Sequence, residues 1–207
     1  MFKIYEVNFN IFFNEKILLY LHIANRESRI KIVNMKKHNG MRPQDIVILS
    51  KIIALKHEDW RHVDLAYSLK ISSSEIAEAL NRCKIAGLID TKKKKVHVNS
   101  FREFLIYGLK YVFPAEPGPI VKGVPTAHSA LPISEYISKG TDIYVWPYVN
   151  GKVRGQTIVP LYKTIPAIVQ EDKLFYELLV IIDTLRIGRT REITIAVDEL
   201  EKRLQYA

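Results

Sequence analysis

Apolar residues recur at helical spacing through much of residues 42–89, and the breaks in that rhythm mark out separate elements. Between Arg42 and Leu55, the residues Ile46, Leu49, Ile52 and Ile53 form one stripe. Pro43 stands at its start, where a missing N–H is harmless because the first turn of a helix leaves that group unpaired. Val63, Leu65, Ala66 and Leu69 repeat the spacing as far as Lys70-Ile71. Ser72, Ser73 and Ser74 follow, and a serine hydroxyl accepts from the orphan N–H groups of a new helix. Ile76, Ala77, Leu80 and Cys83 line that next helix, which Gly87 stops. The pattern predicts a supporting helix and then two short helices joined by a tight turn.

Beyond Gly87 the rhythm changes. Leu88-Ile89 and Val96-His97-Val98 flank a polar turn from Asp90 to Lys95, which predicts a β-hairpin. Asn99-Ser100 precedes a helix from Phe101 to Phe113 that is apolar nearly all round, a pattern expected of a buried or interfacial helix. Pro114 to Leu131 holds four prolines and two glycines and predicts a long loop. Asp142 to Ile158 predicts a second hairpin turning at Asn150-Gly151, with Val149 opposite Lys152 and Trp146 opposite Gly155. Two helices end the chain: Lys173 to Arg186, capped by Asp172, and Arg189 to Leu204, where Glu199 and Arg203 stand four residues apart.

The run Asp64-Leu65-Ala66, Leu69, Ile71, the serines, Ile76, Leu80 and Ala86-Gly87-Leu88-Ile89 resembles the winged helix-turn-helix of MarR-type bacterial regulators. The resemblance spans residues 42–98. It implies a recognition helix at about 73–86, a wing at 90–98 and a dimer on double-stranded DNA. One departure is visible: Lys70 stands where the family often has glycine, and a left-handed lysine there would cost about 1–2 kcal/mol.

Charge favours a polyanion partner for the N-terminal half, though a membrane surface would be attracted by the same charge. The chain carries a net charge of +9. Basic residues outnumber acidic ones by seven to three in 1–40, eleven to seven in 41–100 and only thirteen to twelve in 101–207. The DNA-binding candidates are Ser72, Ser73, Ser74, Asn81, Arg82 and Lys84 on the recognition helix and Lys92, Lys93, Lys94 and Lys95 on the wing. Asn pairs with adenine and Arg with guanine or phosphate, while lysines at a wing tip meet phosphates and make binding salt-dependent. Glu75 and Glu78 on the same helix would repel phosphates and favour a protein partner.

Other chemistries find little support. Cys83 is the only cysteine, so neither an internal disulfide nor a cysteine metal cluster is expected, and a buried inert thiol in a reducing compartment fits. His57 and His62 lack a completing ligand. Thr126, His128 and Ser129 invite a hydrolase reading, but no Gly-x-Ser-x-Gly elbow surrounds Ser129. In residues 1–40 the longest apolar run, Ile17 to Leu21, is far short of the roughly 20 residues that span a bilayer. Neither a membrane span nor a signal peptide is expected there.

The expectation is an α+β protein: an extension at 1–40, a winged helix-turn-helix domain with linker helix at 41–113, and a mixed C-terminal region at 114–207 holding a β-hairpin and helices. Its expected function is that of a sequence-specific DNA-binding transcriptional regulator, cytoplasmic and dimeric, non-enzymatic, with no cofactor and no metal. The alternative is a protein-interaction module, an antitoxin or adaptor, whose C-terminal region binds a partner protein.

Overall fold

The computed structural model describes residues 40–56, 59–137 and 142–205; the expected extension at 1–40 and His57 lie outside them, Gly40 apart. Helix α1 (Pro43–Ala54) opens with Pro43 in its first turn and with Asp45 Oδ2 accepting from Arg42 N at 2.9 Å. Its stripe extends further round than the spacing suggested, since Ile46, Val47, Ile48 and Leu49 are all fully buried. Helix α2 (His62–Leu69) and helix α3 (Ser73–Ile85) follow, linked by residues 70–72.

Ile89 bridges Val96, closing a small hairpin around the lysine-rich turn. Val98–Glu103, Phe104–Gly108 and Leu109–Val112 then run on as one helix, α4, whose middle segment is π-helical. It starts before Asn99, the expected cap, and it is not apolar all round in effect. Phe101, Leu105 and Leu109 are buried, while Tyr107, Tyr111 and Val112 face outward.

Three strands follow, and here the sequence misleads. Strand β1 (Ile120–Pro125) lies inside the stretch expected to be a loop. Its prolines flank the strand or close it, positions where a missing N–H breaks no central ladder. Strands β2 (Tyr144–Pro147) and β3 (Val153–Thr157) do not form the expected hairpin. They run parallel, Tyr144 beside Gln156 and Val145 beside Thr157. β1 is antiparallel to both, placing Trp146 opposite Val124 rather than Gly155, and the three strands close into a small barrel. Such closure brings backbones together: a Cβ on Gly123 would collide with the Trp146 carbonyl, and one on Gly155 with that of Ile143. Asn150-Gly151 still turns the chain, with Gly151 N donating to Tyr148 O at 3.0 Å.

Helix α5 (Ile165–Ile168) leads into α6 (Lys173–Ile187) and α7 (Thr190–Leu204). Asp172 caps α6 as expected, accepting from Phe175 N at 3.0 Å, and Arg203 meets Glu199 at 2.5 Å on α7. α6 is the central helix, buried along most of its length and packed on α1, α4 and α7.

The described residues are thus an α+β arrangement of seven helices and a three-stranded sheet. One apolar core runs from Ile46 of α1 to Leu204 of α7, and Gly40–Ala207 makes up a compact unit. Two polar ties join its ends: Lys51 Nζ donates to Asp172 Oδ2 at 2.7 Å, and Thr164 Oγ1 donates to Leu69 O at 2.8 Å. No described helix is long and apolar enough to cross a membrane.

Candidate nucleic-acid interface

The corner between α2 and α3 is set by one residue in a left-handed conformation, Lys70, at φ 54° and ψ 44°. Lys70 N donates to Tyr67 O and Ile71 N to Ala66 O, the paired bonds of a Schellman ending. The same pairing recurs after α3, where Gly87 (φ 73°) and Leu88 donate to Lys84 O and Cys83 O. The fold therefore uses one motif twice, with lysine at the first and glycine at the second. Lys70→Gly is expected to raise stability by about 0.5–1 kcal/mol, since relief of the left-handed strain exceeds glycine's extra unfolded-state freedom. Gly87→Ala is expected to lower it by a similar amount through the backbone alone, because a Cβ there meets nothing within 4 Å. Thermal melts of the two variants moving in opposite directions would show this; equal shifts would refute it.

Ser72 is the N-cap of α3, its Oγ accepting from Glu75 N at 3.3 Å and lying 3.2 Å from Ser74 Oγ. It is occupied with the helix start. Ser73, Ser74, Asn81 and Lys84 are exposed on α3, with Ala77 partly exposed between them. Cys83 is fully buried, and burial pushes its thiol pKa well above the usual value, so it stays protonated and inert.

Arg82 does not join the outward face. It is 5% exposed, and its guanidinium grips the fully buried Asp45 of α1, Nε to Oδ2 at 2.9 Å and Nη2 to Oδ1 at 2.6 Å. The expected base contact is corrected: a fork bound on both arms to a buried carboxylate is not available to guanine. The Asp45 hydrogen bond accordingly holds the Arg82 pKa above its already high ordinary value. Glu75 is likewise turned toward α1, where Arg42 Nη1 approaches at 3.2 Å and Gln44 Nε2 also donates to it. Glu78 lies 4.0 Å from Arg82. Both acids that troubled a phosphate-facing helix are therefore drawn toward cations.

Asp90 organises the lysine turn. Its Oδ1 accepts from Lys94 N at 2.6 Å and Lys95 N at 2.9 Å. Burial alone would raise this carboxyl, but the N–H groups of Lys95, Lys94 and Lys92 outweigh it and hold the pKa below the usual range. The four lysines then part company. Lys94 folds back: its ammonium donates to Trp60 O, sits 4.7 Å from the centre of the Trp60 ring and lies 3.7 Å from Asp59. Lys94 is thus a strap that ties the turn to the start of α2, while its side chain stays about half exposed. Lys92, Lys94 and Lys95 are exposed and Lys93, at φ 58°, is half-buried. Trp60 was legible as a packing residue, but nothing in the spacing pairs it with a lysine 34 positions later.

The three residues that suggested hydrolysis are engaged separately. Thr126 Oγ1 donates to Asp183, Ser129 Oγ accepts from Tyr144 N at 2.8 Å, and His128 Nε2 donates to Asp142 O at 2.8 Å. No nucleophile–base hydrogen bond links them. Among the described residues no group of three or more His, Cys, Asp or Glu side chains could hold a metal ion. Neither a family model, nor a curated protein, nor a solved structure matches the chain.

Proposed function

We propose that residues 41–113 form a winged helix-turn-helix domain of the MarR-like kind with its linker helix, and that the protein is a sequence-specific DNA-binding transcriptional regulator. It works as a cytoplasmic homodimer and without catalysis. One observation carries this reading: α3 turns outward a row of short polar side chains ending in Lys84, beside a lysine turn strapped to the start of α2. Short polar residues let a helix backbone approach base edges in a major groove, and Asn81 has the donor–acceptor pair that matches adenine. Ser73 and Ser74, in the first turn of α3, suit phosphate oxygens. Lys92, Lys93 and Lys95 supply backbone affinity, whereas Lys94 acts through position.

A protein-interaction module is the second reading, favoured by Tyr67, 88% exposed on α2, and by Tyr107 and Tyr111 on α4. The two readings separate in a salt series. Wild-type protein on duplex DNA is expected to lose affinity steeply with salt. Lys92→Ala/Lys93→Ala/Lys95→Ala is expected to flatten the slope of log K against log salt by about 0.9 for each phosphate that the variant no longer neutralises. A preference for the DNA upstream of its own gene would add the sequence-specific part. Binding that is weak and indifferent to all three lysines would defeat the regulator reading.

A further inference from the structure

A second site lies away from α3. A cavity of about 620 Å³ opens between the barrel, the turns after β1 and the first turns of α6. That is within the roughly 300–1,000 Å³ typical of sites for small organic molecules. Its walls are mostly apolar: Pro125 and Leu131 from the turns, Ile137 beyond them, Ile143 and Val153 from the barrel, and the ring of Tyr176.

Set into these walls are three hydroxyl groups. Ser129 Oγ accepts from Tyr144 N, which leaves its own proton to donate. Ser134 Oγ makes no hydrogen bond among the described residues. Tyr176 OH donates to Pro125 O at 2.7 Å, and burial raises its pKa to about 12, so it remains a neutral phenol with a lone pair to offer. The ionic groups around the cavity balance. Glu177 is paired with Arg203 at 2.8 Å and lies 3.8 Å from Lys173, Asp142 is opposite in sign to Lys173, and His128 of the lining has its Nδ1 3.8 Å from Glu192. An anionic head carried into such a site would leave water beside Asp142 and Glu177, with only Lys173, already 3.8 Å from Glu177, to face it, which is costly in apolar surroundings.

We propose that this cavity is a binding site for a small uncharged molecule with an apolar, ring-sized body and a carbonyl or hydroxyl oxygen that accepts from Ser129 and Ser134. The site does not depend on the DNA-binding reading, and its test uses no DNA. The full chain is titrated with 6-propionyl-2-dimethylaminonaphthalene, a neutral fluorescent ketone whose emission shifts to the blue in apolar surroundings. A saturable blue shift at one equivalent per chain is expected. Leu131→Trp narrows the mouth at a residue already 47% exposed, and Ser134→Ala removes a donor. Each is expected to weaken binding by about three- to tenfold with unchanged thermal melts. 2-Acetylnaphthalene is expected to displace the probe at concentrations at least about tenfold lower than 2-naphthoate, its anionic counterpart. A signal that does not saturate, or that both variants leave unchanged, would overturn the site. Better displacement by the naphthoate would overturn the assigned ligand class.

Discussion

Arg82→Ala is expected to cost about 3–5 kcal/mol of stability, the range for breaking a buried ion pair by removing one partner. Asp45 is fully buried and, among the described residues, accepts from the two arms of Arg82 and from Arg42 N at the start of α1. Without Arg82 its carboxylate would be left among apolar neighbours without its buried counter-charge. Asp45→Ala should cost less than Arg82→Ala, because the 5%-exposed guanidinium keeps Glu75 and Glu78, each at 4.0 Å. Asp45→Leu with Arg82→Met should lose much less than the two single changes together, since no unpaired charge is left behind. Urea unfolding followed by Trp60 fluorescence measures all four proteins. If Arg82→Ala cost less than about 1 kcal/mol, the pair would be behaving like an exposed one. Arg82 would then be free to meet DNA after all.

Asp183→Ala carries the other large effect, also about 3–5 kcal/mol. Asp183 is 2% exposed on α6 and gathers three partners from separate parts of the chain. Oδ2 accepts from Thr126 Oγ1 at 3.0 Å and from Trp146 Nε1 at 2.6 Å, while Oδ1 accepts from Arg186 Nη1 at 2.6 Å. Arg186 in turn donates to Phe113 O at 2.9 Å and Val159 O at 3.2 Å. The carboxylate therefore fixes β1 and β2 to α6, and through Arg186 it holds the end of α4. Alanine would leave a 5%-exposed guanidinium without its counter-charge and an indole N–H without an acceptor. Asp183→Asn keeps an acceptor but loses the charge, and is expected to cost about 1–3 kcal/mol. Thermal unfolding read at Trp146, with Trp60 replaced by Phe, gives both values. Equal losses for Ala and Asn would mean that the charge contributes nothing.

Much of the helical part was legible because local rules and the fold agree there. Pro43, Ser72 and Asp172 start helices where their chemistry predicts, and Cys83 is buried as its place on the apolar face requires. The α2–α3 corner could be placed from the spacing alone, and Lys70 proved to be left-handed at the position where that conformation was in question. Misreadings arose where a distant partner decides the outcome. Periodicity puts Arg82 at the edge of the α3 face, and only Asp45, 37 residues away, draws it inward. Lys94 looked like its neighbours until Trp60 gave it an acceptor and a ring. Ile120–Pro125 looked like a loop because its prolines mask a strand whose N–H and C=O groups are satisfied by two partners at once. The Asn150-Gly151 turn signal was sound as a turn but silent about pairing, since β1 occupies the place the second hairpin strand would have taken.

The closed pairing of the three strands has a consequence for how this protein behaves at high concentration. An open sheet ends in a row of unpaired backbone groups that can template the addition of a strand from another molecule, the first step toward swapped dimers and cross-β fibres. Here β1 bonds both neighbours and those neighbours bond each other, so the described sheet has no outer strand to offer. Self-association through this sheet would first have to open the ring at Tyr144 and Val145, where β2 meets β3, and that seam is tied to the core by the neighbouring Trp146 on Asp183.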